Sequence, residues 1–341
     1  MATTSTSSGQ ATGSVRANSR LGSLRDPAPA GWAPVSTPRS IDVPSGVRWI
    51  TLPTERGQFA AFEALPATGV CERRPAVLVP GFTGSKEDFL PILRQLAAAG
   101  RRVIAIDMRG QYETPGTDDR DSYSLAELSA DIGAIVTAIA ADPARMPARG
   151  DASVHLLGHS FGGLVARETV LADAQAVCSL TLMSSGPGRL TGPAAGTLAA
   201  VVGPLQGLTG RELAAQVKRL WETQLKVQAR QEGTPRLILD FLERRMLRSN
   251  ADGLIATAGI LLTCPDRTAA LAATAAMPIL VIYGEYDDKW ETRVQEDVAE
   301  RLRAQRVCIP GATHSPAVEA PETTASALTS FWNKAETATP R

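Results

Sequence analysis

The sequence predicts an α/β domain in which a mostly parallel sheet is flanked by helices on both faces. Two observations indicate this. Short apolar runs, such as 75–80 and 177–183, have the length and continuity of strands that are buried on both sides. Stretches with apolar residues at helical spacing alternate with these runs, and alternating strands and helices build parallel sheets. The chain has 341 residues and is 44% hydrophobic, which is enough for one large core.

The predicted elements follow one another in a regular order. We expect strands at residues 47–52, 58–64, 75–80, 102–107, 153–157, 177–183, 278–284 and 306–309. We expect helices at about 85–99, 124–139, 161–173, 291–303 and 322–332. Gly100 marks the end of the first helix, and Ser124 with Glu127 forms a capping box at the start of the second.

The alternation is interrupted once. Residues 189–270 show helical periodicity without a convincing strand, so we expect a helical insertion that divides one α/β domain into two parts, 45–188 and 271–338. Residues 1–44 are rich in Ser, Thr, Ala, Gly and Pro and carry few large apolar groups. Such a segment cannot bury enough surface to offset the entropy of ordering it, so we expect a disordered N-terminal tail.

Charge, cysteines and hydropathy argue against several kinds of partner. The 35 basic and 35 acidic residues balance, which gives no electrostatic argument for nucleic acid or an anionic membrane. No stretch approaches the roughly 18 apolar residues of a membrane span, and the first residues lack the pattern of a secretory signal, so we expect a cytoplasmic protein. The four cysteines form no Cys-x-x-Cys pair, which argues against a zinc or redox site. The segment Gly81–Lys86 lacks the spacing of a P-loop, which argues against nucleotide binding.

The motif with the most chemical content is the pentapeptide Gly158–Gly162, which reads GHSFG and matches G-x-S-x-G. It lies directly after a predicted strand and directly before a predicted helix, which is the context that a nucleophile elbow requires. The turn is sharp and strained, so the positions beside the serine must be small, and glycines supply that smallness. Ser160 is therefore the candidate nucleophile.

A serine hydroxyl needs a base that takes its proton, and the chain has only three histidines. His155 lies inside the strand that leads to the elbow, and the side chain of His159 is expected to leave the turn in another direction. His314 remains, in a loop that follows the last predicted strand. Such loops line the crevice in which open parallel sheets bind ligands. We therefore choose His314 as the candidate base.

The base needs a carboxylate that holds its tautomer and stabilises the imidazolium. The loop after the strand at 278–284 carries three acids, and a partner from this loop gives the chain order serine, acid, histidine. Our choice is Asp287. Asp288 and Glu285 remain alternatives, because they lie on the same loop.

Attack on a carbonyl places negative charge on the substrate oxygen, and preorganised backbone N–H groups stabilise that charge. One donor is expected to be the N–H of Phe161, directly after the nucleophile. The second is expected from Gly81–Gly84, the loop after the strand at 75–80. In this loop the N–H of Phe82 is the best candidate, and the two N–H groups would form an oxyanion hole.

Taken together, these residues resemble the α/β-hydrolase superfamily. The elbow, the oxyanion loop, the Asp287 turn and the His314 loop fall in the family's order. The resemblance covers roughly residues 45–335 and implies the α/β-hydrolase fold, with the insertion at 189–270 corresponding to the family's helical cap.

Other features refine the resemblance. The turn Asp107–Gly110, where we expect a structural exit turn with an Arg–Asp contact, and the stretch 315–322 resemble capped, esterase-like members. Two departures stand out. Pro80 occupies the position before the oxyanion glycine where many members have His, which affects the expected shape of that loop. The nucleophile position holds serine rather than aspartate, which argues against haloalkane dehalogenase and epoxide hydrolase chemistry.

The predicted function is hydrolysis of a carboxylic ester, or a related acyl bond, through an acyl-enzyme, with no metal and no organic cofactor. We expect Trp221, Phe241 and Met246 of the cap to line the substrate site or to pack between cap helices. The same catalytic residues also suit thioester, lactone or C–C bond hydrolysis and perhydrolysis. A non-catalytic receptor for a small molecule is the alternative from another class. The sequence predicts a small-molecule substrate and leaves the oligomeric state open.

Overall fold

The computed structural model describes residues 1–2, 37–147 and 152–337. Contacts divide the chain into two units after Gly31, and every described residue from 37 onward belongs to the second unit. Most of the predicted tail, residues 1–44, lies outside the described residues, so its expected disorder stays a prediction.

The described strands form one sheet that is parallel except at one edge. They are β1 (Val47–Thr54), β2 (Gly57–Ala64), β3 (Arg73–Val79), β4 (Arg101–Ile106), β5 (Val154–His159), β6 (Val177–Met183), β7 (Ile279–Gly284) and β8 (Gln305–Ile309). Their spatial order is β1-β2-β4-β3-β5-β6-β7-β8. The β1–β2 and β2–β4 pairs are antiparallel, and all other neighbours are parallel. The predicted mostly parallel sheet is confirmed.

The described α-helices cover the two faces of this sheet or lie between β6 and β7 in sequence. They are α1 (Leu90–Ala98), α2 (Leu125–Ala140), α3 (Phe161–Ala172), α4 (Gly192–Val202), α5 (Gly210–Leu220), α6 (Lys226–Gln231), α7 (Arg236–Arg248), α8 (Ala251–Thr263), α9 (Thr268–Thr274), α10 (Thr292–Leu302), α11 (Pro316–Glu319) and α12 (Pro321–Thr337). Helices α4–α9 lie between β6 and β7 in sequence, and we refer to them as the inserted helices. Among the described residues no single helix is long and apolar enough to cross a membrane; α8 and α9 reach that length only together, across an 88° bend.

Side chains that alternate along the strands build two apolar layers, one on each face of the sheet. Val77 and Val79 of β3 join the cluster that contains α2, α3 and the inserted helices. Ala76 and Leu78 of the same strand join the cluster that contains α1 and α12. Successive residues of a strand point to opposite faces, so an unbroken apolar run packs against helices on both sides.

The carboxyl ends of the parallel strands meet at one edge of the sheet. The register joins residues at or near these ends, namely Val79 with Gly158, His159 with Met183, Met183 with Ile282, and Gly284 with Ile309. The loops that follow β3, β5, β6, β7 and β8 therefore emerge side by side. This is where open α/β sheets place ligands.

Some element boundaries differ from the prediction. The segment predicted as one helix at 85–99 is a 3₁₀ turn, Lys86–Phe89, followed by α1. Pro91 is in the first turn of α1, where its missing N–H breaks no helical hydrogen bond. β5 extends through His159, so the G-x-S-x-G motif begins inside the strand.

The exit of β4 carries an Arg–Asp contact, but its partner lies outside the turn. Arg109 binds Asp131 of α2, with Nη2–Oδ1 2.5 Å and Nε–Oδ2 2.7 Å. Asp107 instead accepts a hydrogen bond from the Lys86 ammonium at 2.8 Å, and neither side chain is exposed. Burial lowers the pKa of Lys86, but the charges of Asp107 and Glu87 outweigh this effect and hold that pKa above its ordinary value. The pairing depends on tertiary contacts that the local sequence does not reveal.

Buried histidines predict a loss of stability in mild acid. His155 stacks on Trp332 and contacts Glu336 with its Nε2 at 3.0 Å, and burial lowers the pKa of His155 to about 4. In the unfolded chain the histidine pKa is about 6.5, so unfolding takes up a proton between these values. His155 therefore contributes fully to the free energy of unfolding above pH 6.5. This contribution falls by about 3 kcal/mol as the pH falls towards 4.

The measurement is the free energy of unfolding by urea at several pH values between about 6.5 and 4. The variant His155→Gln has no titrating group at this position. We expect its free energy of unfolding to change less steeply with pH than that of the wild type. Equal slopes in the two proteins would show that His155 titrates normally in the folded state.

Candidate active site

Ser160 stands in a strained turn between β5 and α3. Its backbone has φ 55° and ψ −120°, and residues other than glycine rarely adopt such a positive φ. Hydrogen bonds hold this conformation: the Ser160 N–H donates to the Met183 carbonyl at 2.8 Å, and the Ser185 hydroxyl donates to the Ser160 carbonyl at 2.8 Å. Surrounding structure that over-determines a strained residue is typical of functional sites.

The glycines around Ser160 are required by close backbone contacts. A Cβ atom on Gly158 would lie 2.1 Å from the Gly162 carbonyl oxygen, and one on Gly162 would lie 2.4 Å from the Pro80 carbonyl oxygen. Both carbonyl groups belong to the backbone, so the first can yield only if α3 moves and the second only if the end of β3 moves. The smallness that the sequence predicted at the elbow is thus a requirement of helix α3 packing directly onto the sheet.

Two loops from neighbouring strands bring a histidine and a carboxylate to Ser160. His314, in the loop after β8, has its Nε2 2.9 Å from the Ser160 Oγ. Its Nδ1 is 2.9 Å from an Oδ1 of Asp287, in the loop after β7. The structure therefore joins the three residues chosen from the sequence in one hydrogen-bonded series, although they are far apart along the chain.

The structure distinguishes Asp287 from its two neighbours on the loop. Asp288 pairs with Lys289 and has a largely exposed side chain, and Glu285 accepts the Gly311 N–H. Asp287 has a fully buried side chain and contacts His314. Burial raises the pKa of the Asp287 carboxyl, but the His314 ring and other donors outweigh it and bring that pKa below its ordinary value. Asp287 is thus held as a carboxylate.

Gln295 of α10 is a part of the site that the sequence did not reveal. Its side-chain nitrogen donates to the Asp287 Oδ2 and to the Trp290 carbonyl, both at 2.9 Å, and the residue has no exposed surface. Both neighbours are acceptors, which fixes the orientation of the amide. One signal was available in the sequence: Gln295 occupies the buried face of α10 together with Val298 and Leu302, where a polar residue is unexpected.

His159 supports the loop that carries the candidate base. Its Nε2 is 2.8 Å from the His314 carbonyl oxygen, and the two rings lie 5.1 Å apart. Burial lowers the pKa of His159 to about 4, so the ring is neutral near pH 7 and donates its Nε2–H to that carbonyl. The sequence did not predict this contact of His159.

The loop after β3 forms a tight turn against the elbow. The Gly84 N–H donates to the Gly81 carbonyl at 3.1 Å, and Thr83 within the turn has φ 58°. A Cβ on Gly81 would lie 3.0 Å from the Ser160 Cβ, so the turn touches the serine directly. The Gln111 side chain, which sequence reasoning missed, donates to the Gly81 carbonyl at 2.9 Å.

The two N–H groups expected to bind an oxyanion belong to Phe161, directly after Ser160, and to Phe82. Phe161 is the first residue of α3, where N–H groups have no acceptor within the helix. Phe82 lies in the Gly81–Gly84 turn, and its N–H donates to no backbone carbonyl of the described residues. Both donors are thus available for a ligand, and their role in binding an oxyanion stays a prediction.

The three residues expected to line the substrate site all have packing partners. Trp221 and Met246 are buried in the apolar cluster of α2, α3 and the inserted helices. Phe241 packs edge-on against Tyr112, with ring centroids 5.7 Å apart. Contact of these residues with a substrate stays a prediction.

Removal of the hydrogen bond from Gln295 to Asp287 should weaken the hydrogen-bonded series of Ser160, His314 and Asp287. We expect Gln295→Leu to lower kcat/KM about 10- to 100-fold, because a hydrogen bond to a charged group in a buried site contributes about 1.5–3 kcal/mol. The pKa of Asp287 should also rise, since Gln295 is one of the groups that lower it.

The measurement is kcat/KM against pH for an ester that the wild type hydrolyses. Thr169→Val serves as the control, because it removes a buried hydroxyl from α3 that, among the described residues, bonds only to the Val165 and Ser129 carbonyls. Equal activity of Gln295→Leu and Thr169→Val would contradict a role for Gln295 at the site.

Comparisons with known proteins agree with this fold. Residues 76–327 match the family described as the alpha/beta hydrolase family. A protein of Variovorax paradoxus, named as the carbamate hydrolase RutD, is 32% identical over 117 residues, which are 34% of this chain and only 40% of that relative's length. The pimeloyl-(acyl-carrier protein) methyl ester esterase of Edwardsiella ictaluri is 28% identical over 264 residues, 76% of this chain and 93% of the relative.

A solved structure shares the same architecture. A crystal structure from Acinetobacter baumannii, named as a lipase, superposes with a TM-score of 0.66 at 21% identity, covering 86% of this chain and 93% of the other. At that identity the likeness concerns the fold alone. The family match spans most of the chain and confirms the predicted fold and an enzyme of the hydrolase class. The chain belongs to the alpha/beta hydrolase family.

Proposed function

We propose that this protein is a serine hydrolase that cleaves a carboxylic ester through an acyl-enzyme intermediate. The observation that carries the proposal is the series from Ser160 to His314 to Asp287, with both contacts at 2.9 Å and the serine in a strained elbow. A nucleophile, a base and a group that orients the base, each within hydrogen-bond reach of the next, are what acyl transfer requires.

In the proposed reaction, His314 takes the proton of Ser160 as the serine oxygen bonds to the ester carbonyl carbon. Collapse of the tetrahedral intermediate breaks the bond to the alcohol, which leaves with the proton from His314. Water then gives a proton to His314 and attacks the acyl-serine, which releases the carboxylic acid and restores Ser160. Asp287 stays ionised and stabilises the imidazolium in both halves.

The oxyanion of each intermediate is proposed to rest on the N–H groups of Phe82 and Phe161. Donors fixed by the fold cost little reorganisation when charge develops, and each is typically worth about 3 kcal/mol. The Gly81–Gly84 turn, which touches Ser160, supports this placement for Phe82.

The inserted helices are proposed to act as a cap over this site. They bind the loop after β4, which neighbours the Gly81–Gly84 turn. The Asn250 N–H donates to the Gly110 carbonyl at 2.8 Å, and the Tyr112 N–H donates to the Ser249 hydroxyl at 3.1 Å. Phe241 of α7 packs on Tyr112. A roof of this kind excludes water and sets the shape of the acyl or alkyl group that fits.

Rapid-mixing kinetics with p-nitrophenyl esters of increasing acyl length test the proposal. We expect a burst of nitrophenol close to one equivalent for esters whose deacylation is slow. The names of the relatives suggest adding methyl esters and a carbamate to the panel. A small-molecule receptor without catalysis would bind members of the panel and release no alcohol from any of them.

A further inference from the structure

One inserted helix binds the segment that directly follows the Gly81–Gly84 turn. Arg245 of α7 has its Nη1 2.7 Å from the Asp88 Oδ1 and 3.3 Å from the Ser85 hydroxyl. The Arg245 and Asp88 side chains are 1% and 3% exposed, so the ion pair is buried. The guanidinium also lies 5.1 Å from the Phe241 ring centroid.

Asp88 transmits this contact to the turn. Its second oxygen accepts the Ser85 N–H at 3.4 Å, and it lies so near Gly84 that a Cβ there would be 2.6 Å away. Burial raises the pKa of Asp88, and Arg245 opposes that effect. The net effect holds the pKa of Asp88 above its ordinary value, and Arg245 binds this buried side chain beside the backbone of Gly84.

Helix α7 also packs beside Gln111, the residue that binds the Gly81 end of the turn. The Gly81 carbonyl is held by Gln111, and the next residue, Tyr112, packs against Phe241 of α7. Helix α7 is therefore linked to both ends of the turn that carries Phe82 by intervening residues, through Asp88 at one end and through the Gln111–Tyr112 segment at the other.

We propose that Arg245 is a positioning residue for the Phe82 N–H, so that the inserted helices complete the oxyanion hole as well as cover it. The inference rests on the proposed function, because it assigns a task to the oxyanion donor. Its physical basis is that a donor misplaced by a fraction of an ångström loses much of its stabilisation of the transition state, whereas the bound ester is little affected.

The chain offers a matched control in a second ion pair between the α/β domain and the inserted helices. Arg120 binds Asp252 of α8 at 2.8 Å, and Asp252 is buried. This pair contacts the 206–210 segment instead of the Gly81–Gly84 turn. Asp252→Asn should thus weaken the attachment of the inserted helices without moving Phe82.

The test compares Arg245→Met with Asp252→Asn in the full chain. We measure kcat and KM for one ester, and the inhibition constant of the matching trifluoromethyl ketone, which forms a tetrahedral adduct with a serine. We expect Arg245→Met to lower kcat and ketone affinity together, each about 10- to 100-fold, with KM nearly unchanged. Asp252→Asn should leave the ratio of ketone affinity to KM at the wild-type value.

Arg245→Lys covers the case in which the methionine variant does not fold. It keeps a charge beside Asp88 and should lower ketone affinity less, about 3- to 10-fold. The inference would be overturned if the Arg245 variant that folds kept the wild-type ratio of ketone affinity to KM. It would also be overturned if Asp252→Asn lowered this ratio as much as the Arg245 variant does. Absence of any ketone adduct with the wild type would instead contradict the proposed function, and the inference with it.

Discussion

Ser160→Ala is expected to lower kcat by about 10⁵- to 10⁶-fold, because it removes the oxygen that forms the acyl-enzyme in the proposed mechanism. The measurement is steady-state hydrolysis of a p-nitrophenyl ester. Ser129→Ala is the control, since it removes a buried hydroxyl of α2 whose one partner in the described part of the chain is the Ala126 carbonyl. This control should keep activity within a few-fold of the wild type.

The same experiment extends to a double variant. Ser160 and His314 act as one unit in the proposed mechanism, so Ser160→Ala combined with His314→Ala should be no slower than Ser160→Ala alone. A further large loss in the double variant would mean that His314 supports a reaction that does not pass through Ser160.

Asp287→Asn is expected to lower kcat by about 10⁴-fold while the fold is kept. The amide can present an N–H to the Nδ1 of His314, which favours the tautomer that cannot accept the Ser160 proton. Loss of the carboxylate also removes the charge that stabilises the imidazolium. The measurement is kcat with near-UV circular dichroism as the check on folding.

Two neighbouring acids serve as controls for this variant. Asp288→Asn and Glu285→Gln change the carboxylates that the sequence left as alternatives, and neither residue contacts His314 in the structure. Both should keep activity within about 3-fold, in the range of ordinary surface substitutions. If either control lost as much activity as Asp287→Asn, Asp287 would be the wrong choice for the acid.

The α/β core could be predicted because its signals are local. Buried parallel strands read as apolar runs, and the GHSFG motif lies between one such strand and a helix. With only three histidines in the chain, elimination sufficed to choose His314, and the structure places its ring beside Ser160. The choice among the three acids of one loop was less determined, because all of them follow the same strand.

The parts that escaped prediction depend on contacts between distant segments. Gln295 reaches Asp287 only because α10 packs its buried face against the loop after β7. Gln111 reaches Gly81 because two loops emerge side by side at the sheet edge. The pairing of Arg109 with Asp131 likewise depends on where α2 packs. No spacing along the chain encodes these pairs.

The most direct measurement of the central claim is the trapping of the covalent intermediate. The protein is mixed with a slowly deacylated ester, quenched in acid and digested, and the acylated peptide is identified by mass spectrometry. We expect close to one acyl group per chain, attached to Ser160, and none in Ser160→Ala. An acyl group on another residue, or turnover by Ser160→Ala at the wild-type rate, would contradict the central claim.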